Sequence, residues 1–169
     1  MAYNEPKKNV LIIVGLSGEH GRLFELAANT YKQEHSNDDV KILYAKDYKS
    51  MDELLDASSK AFDKGFWGNI FDNNEIDDLV YYGHSYSPGE GLDHGGLSVF
   101  FISGRNDSWI TKNTDLSMLD FNNGATIHLY GCDGGVVGPK GENSIAQDLA
   151  NKTGVIAYGY TSKSSFTSD

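Results

Sequence analysis

The chain has 169 residues, 39% of them hydrophobic and 12% aromatic, which is one domain's length with enough apolar mass for a core and too much for a disordered chain. Its 24 acidic residues against 14 basic ones leave a formal net charge of −10, which argues against a nucleic-acid binder, whose footprint is basic, and against a protein held on an anionic membrane surface. A single cysteine, Cys132, excludes an internal disulfide and a cysteine-rich metal cluster, and leaves the thiol as either a small buried hydrophobe or a nucleophile.

Asn9-Val-Leu-Ile-Ile-Val14 is a continuous β-branched apolar run, the pattern of a strand buried on both faces of a parallel sheet. It is far too short to span a bilayer, and Ser17-Gly-Glu-His20 after it makes a poor cleavage site. Neither a signal peptide nor a transmembrane segment is therefore expected, and the chain reads as cytoplasmic as made. The turn-rich Gly15–Gly21 leads into Leu23, Phe24, Ala27, Ala28 and Tyr31, whose three- and four-residue spacing predicts a helix. Val40–Tyr44 reads as a second strand. Ser50-x-x-Glu53 is a capping box, opening a second helix that carries Met51, Leu54, Leu55, Ala61 and Phe62. Asp78–Gly83 is a third strand, ending at His84.

From residue 85 to 124 the alternation breaks. Glycines at 89, 91, 95, 96 and 104 surround one β-like run, Leu97–Ile102, which predicts an irregular excursion with a small hairpin or edge strand. Ala125–Tyr130 is a fourth strand, followed by Gly131-Cys-Asp-Gly-Gly135. A helix carrying Ile145, Ala146, Leu149 and Ala150 should end near Gly154, Val155–Tyr158 is a fifth strand, and Thr161–Asp169 is a loose Ser/Thr-rich tail. Strands alternating with helices predict a single α/β domain over 1–169, a three-layer α/β/α sandwich with a mainly parallel sheet covered on both faces.

Ligand sites in such sheets lie beyond the carboxyl ends of the strands. His84 directly follows the third strand and Cys132 the fourth, 132 − 84 = 48 residues later. If those strands are neighbours, roughly 5 Å separates them and the two side chains could meet. A thiol beside an imidazole is the minimum apparatus for nucleophilic cysteine catalysis, because the partner favours thiolate and thiolate attacks carbonyls. Gly131, Gly134 and Gly135 allow backbone amides to turn toward a developing oxyanion.

The apolar strand ending in Gly83-His84, the excursion, and Thr126-Ile-His-Leu-Tyr-Gly-Cys132-Asp-Gly-Gly135 before a helix resemble the caspase-like cysteine peptidases. That group (often called clan CD) includes caspases, legumain, clostripain-like enzymes and CHAT domains. The stretch Leu116–Cys132 with Asn143–Ala150 is also similar to C-terminal domains of bacterial polymorphic toxins and secreted effectors. The resemblance spans about Asn9 to Tyr160 and implies a caspase-like, flavodoxin-like topology. It further implies a cysteine endopeptidase acting on a protein or peptide substrate; no cofactor or metal is expected from the residues. On that reading Cys132 is nucleophile and His84 general base, with amides of Cys132 and Ser85 as oxyanion donors. As an effector the chain would be delivered by a non-classical route and would meet a cognate inhibitor or immunity protein. Family members differ in the residue recognised before the scissile bond, and no single charged partner for it stands out here. The family usually has Gly directly after its histidine, where this chain has Ser85.

Other readings compete. His94-Gly95 and His20-Gly21 are further His-Gly pairs, but neither ends an apolar strand, so they rank behind His84 as base. His128 falls inside the fourth strand and reads as a satisfied buried histidine, and His35 as a surface one. Gly83-His-Ser85-Tyr-Ser87 nearly matches G-x-S-x-G, which would make Ser85 a serine nucleophile; Ser87 replaces the closing glycine, and Pro88-Gly-Glu-Gly91 stands where that motif needs a helix. Gly15-x-x-Gly18-x-x-Gly21 matches no phosphate loop, and Asp72–Asp78 lacks the glycine and terminal glutamate of a calcium loop. An inactive caspase-like module is the rival of another class, with Phe100, Phe101 and Trp109 forming either a substrate wall or a protein interface.

Overall fold

The computed structural model describes residues 6–15, 20–65, 74–89, 94–100 and 109–162. In chain order its elements are β1 (Asn9–Val14), α1 (Gly21–Glu34), β2 (Asp39–Tyr44), a 3-10 turn (Ala45–Asp47), α2 (Met51–Ser59), β3 (Ile76–Tyr82), β4 (Ser85–Tyr86), β5 (Gly96–Ser98), β6 (Trp109–Thr111), β7 (Phe121–Tyr130), α3 (Ile145–Thr153) and β8 (Ile156–Gly159). Five strands form one sheet in the order β2-β1-β3-β7-β8, with every neighbouring pair parallel. This is the expected parallel-sheet α/β fold.

Position in the sheet explains the sequence of each strand. β1 lies between β2 and β3, and Val10, Leu11 and Ile12 are wholly inaccessible, so both faces of that strand must be apolar. Val10, Ile12, Val14, Val80 and Tyr82 pack against Phe24 and Ala28 of α1. Leu11, Ile13, Leu79, Tyr81, Ile127 and Leu129 face the other way, toward Leu54 of α2 and Ile145 and Leu149 of α3. Each fully buried aliphatic of this kind contributes roughly 1.5–3 kcal/mol. The helix ends follow their local chemistry. The Ser50 hydroxyl accepts from the Glu53 amide at 3.2 Å, while the Glu53 carboxylate accepts from the Lys49 amide at 2.9 Å, so the capping box closes one residue early. At the far end of α3, Gly154 takes φ 72°, the left-handed conformation that stops the helix and hands the chain to β8.

Two expectations are corrected. α2 stops at Ser59, and Phe62 reaches the core from the turn beyond it. The excursion is a second, three-stranded antiparallel sheet, β4-β5-β6, pairing Ser85 with Leu97 and Leu97 with Ile110. Its middle strand is Gly96–Ser98, and Val99 and Phe100, part of the expected β-like run, leave the ladder to bury in the core on the α2 side. The main sheet carries helices on both faces as expected, α1 on one and α2 and α3 on the other, but the cover is uneven. The chain passes from β3 to β7 through the small sheet and from β7 to β8 through α3, both on the α2 side. Ile156 and Tyr158 of β8 are consequently 60% and 52% exposed. Residues 101–102 of the β-like run, Gly18, Asp72, Phe101 and the tail from 163 lie outside the described residues. No helix among the described residues is long and apolar enough to cross a membrane.

Candidate active site

The three central strands end in a row of glycines. Val14, Tyr82 and Tyr130 are aligned across β1, β3 and β7, so Gly15, Gly83 and Gly131 follow at equivalent positions. The row is required by what lies over it. A Cβ on Gly15 would stand 2.5 Å from the Ser98 carbonyl, and one on Gly131 would stand 2.6 Å from both the Gly83 carbonyl and the Ser85 hydroxyl. The small sheet is thereby seated directly on the strand ends. Tyr81 locks it there: the buried hydroxyl donates to the Ser98 carbonyl at 2.7 Å and lies 2.9 Å from the His84 carbonyl. The same His84 carbonyl accepts from the Ser98 amide at 2.8 Å. Burial pushes the Tyr81 phenol well above its usual range, so it remains a neutral donor.

His84 therefore has a fixed backbone and a half-buried ring. Alternation along β3 carries it to the α1 side, with Val80 and Tyr82. There its imidazole meets Phe24 edge to face, with centroids 5.4 Å apart, and meets His20 in the same manner at 5.5 Å. Burial, and next the nearby His20, hold its proton affinity below that of an ordinary histidine. That favours the neutral ring, the form a general base needs. The chain reverses direction between β1 and β3, with α1 on one face and α2 on the other, so this is also the switch-point crevice of the sheet.

Cys132 stands two residues beyond Tyr130, as His84 stands two beyond Tyr82, and those tyrosines are register partners. The two candidate residues thus leave adjacent, parallel strands at the same level. The thiol is half-buried, in a turn held down at several points. Gly135 donates to the Tyr160 carbonyl at 2.8 Å, the Gly134 carbonyl accepts from Ala146 at 3.0 Å, and Asp133 adopts φ 57°, a left-handed conformation rare outside glycine. Asp133 is a turn-former of the Cys132 loop. The link between the two strand exits is Ser85, whose side chain is 3% exposed and whose hydroxyl donates to the Cys132 carbonyl. A hydroxyl so buried and so engaged acts as a brace for the turn, which speaks against Ser85 as a nucleophile. In the sequence Ser85 stood out only as a departure from a His-Gly pattern. Its bracing role depends on a contact between residues 47 apart that no local spacing encodes.

The remaining histidines separate from this site. His94 precedes β5, where Gly95 abuts the Ile145 amide at the start of α3, on the opposite side of the sheet. His35 is half-buried rather than a free surface residue, stacked on Tyr31 at 3.8 Å. His128 lies in β7, its Nε2 2.9 Å from the Thr126 hydroxyl, which in turn donates to Asp78. A cleft of about 290 Å3 opens between α3 and β8, lined by Gly135, Ser144, Ala146, Gln147, Ala157 and Gly159. It borders the Cys132 turn from the α3 side, away from the His84 ring. No group of three or more His, Cys, Asp or Glu side chains suited to a metal ion occurs among the described residues. No protein-family model, curated protein or solved structure matches the chain.

Proposed function

We propose that the protein is a cysteine peptidase in which His84 and Cys132 form the catalytic dyad. The observation that carries this reading is the placement of the two residues at equivalent positions beyond neighbouring parallel strands, at the carboxyl edge where such sheets bind ligands. In the proposed cycle a neutral His84 takes the proton of Cys132. The thiolate adds to the peptide carbonyl, and His84 returns the proton to the departing amine as the C–N bond breaks. Water, deprotonated by His84, then cleaves the thioester and regenerates the thiol. The amides of Cys132 and Ser85 are the proposed donors to the oxyanion. Action as a delivered effector, with an inhibitor or immunity protein as partner, belongs to the same proposal.

The test is hydrolysis of a peptide library by the wild-type chain, Cys132→Ala and His84→Ala, with circular dichroism to confirm that each variant is folded. Both variants should lose cleavage. Full cleavage by Cys132→Ala would end the peptidase reading, and loss of cleavage in Ser85→Ala alone would restore the serine alternative. A binding module without catalysis is favoured by one observation, the exposed Ile156, Tyr158 and Tyr160 at the β8 edge. It predicts no cleavage by any form of the chain.

A further inference from the structure

We infer that His20 is a positioning residue for His84, holding the base in place by ring contact and setting a like-charged neighbour beside it; this rests on the peptidase reading above. His20 and Phe24 are four residues apart where α1 begins, so they lie on one side of that helix, one turn apart. Both present rings to His84 nearly at right angles, at 78° and 86°. The His84 imidazole thus sits in a two-walled aromatic slot while its backbone is pinned from below by Tyr81 and Ser98. One wall, Phe24, is buried and is accounted for by the core. The other is not: His20 is exposed, and nothing in the packing of α1 calls for an imidazole there.

What an imidazole adds over another ring is charge. Two imidazolium groups whose rings are 5.5 Å apart repel. Charge on His20 therefore opposes protonation of His84, which adds to the effect of burial on that ring. Of the groups around His84, His20 on α1 acts on it with like charge. Tyr81, bonded to the His84 carbonyl, stays neutral, and Cys132 and Asp133 stand at the exit of the neighbouring strand. His20 was legible in the sequence only as a His-Gly pair remote from any strand end. The fold places its ring against His84, two residues past the end of β3.

The experiment is an NMR titration of the His84 ring in the whole chain, comparing wild type with His20→Phe and His20→Gln, alongside the pH profile of peptide hydrolysis. Either substitution should raise the pH at which His84 takes up its proton, and should move the acid limb of the profile the same way. At the plateau, His20→Ala should lower kcat about ten-fold with KM nearly unchanged, and His20→Phe, which restores the wall without the charge, should recover most of that loss while its acid limb stays displaced. An identical His84 titration in wild type, His20→Phe and His20→Gln would overturn the inference, even if Cys132→Ala is inactive and the peptidase reading stands. Conversely, full hydrolysis by Cys132→Ala would remove that reading, and the ring titration would still report whether His20 governs the protonation of His84.

Discussion

His128 lies within β7 and His84 just beyond the neighbouring β3, both on the same side of the sheet, and burial lowers the proton affinity of both. Their surroundings differ in kind. His128 is enclosed by a chain of polar partners: Thr126 at 2.9 Å, then Asp78, then Lys8 at 3.0 Å, with Tyr158 stacked on its ring at 5.1 Å. His84 meets two rings, one of them a second histidine, two residues past the end of its strand. The histidine inside the ladder has its position fixed by the sheet and its Nε2 committed to a neighbour. A histidine just past the ladder is carried by a fixed backbone and can serve an incoming group. The same residue type, one strand over and four positions further along, thus becomes stabiliser in one place and candidate base in the other.

The largest expected difference between the two is catalytic. His84→Ala should lower peptide hydrolysis by ~10³-fold or more, whereas His128→Ala should leave it within a few-fold of wild type, as steady-state kinetics on both variants would reveal. Equal losses in the two variants would erase the distinction drawn here. Next in size is stability, where the order reverses. His128→Ala strips Thr126 and Tyr158 of a partner and should cost about 1–3 kcal/mol in urea unfolding, and Asp78→Ala at least as much, because it removes the acceptor shared by Lys8 and Thr126. Gly131→Ala should also destabilise by about 1–3 kcal/mol, since its methyl would collide with the Gly83 carbonyl and Ser85 hydroxyl.

A smaller effect concerns pH. Both histidines bind protons more weakly in the folded chain than at the usual 6.5, so on acidification the unfolded chain is protonated first. Stability should then decline as pH falls below about 6.5, and His128→Ala should flatten part of that slope in urea midpoints taken at about pH 7.5 and about pH 5.5. The smallest is the brace. Ser85→Ala removes one hydrogen bond to the Cys132 carbonyl and should cost about 1 kcal/mol of stability, with a partial loss of rate rather than its abolition.

Local physics explains which parts of this were readable in the chain. β1, α1 and the end of α3 were legible because an unbroken β-branched run, a helical repeat of apolar residues and a glycine stop signal each report on their own surroundings. The two strand exits that carry the candidate pair were legible because each closes an apolar strand. The small sheet was not, since β4, β5 and β6 are two to three residues long and owe their pairing to a seat on the glycine row rather than to any periodicity. Nor was the uneven covering of the sheet, because Ile156 and Tyr158 look like core residues until the path of the β3–β7 and β7–β8 connections is known. His128 was rightly read as satisfied, but its partners Asp78 and Lys8 are distant in sequence and joined only through strand pairing.

The central claim is that His84 and Cys132 act on one another, and alkylation tests it most directly. Cys132 is the sole cysteine of the chain, so one mass shift reports on it alone. Iodoacetamide labelling at neutral pH should be at least ~10-fold slower in His84→Ala than in wild type, and unchanged in His128→Ala. Equal labelling rates in all three folded proteins would contradict the account.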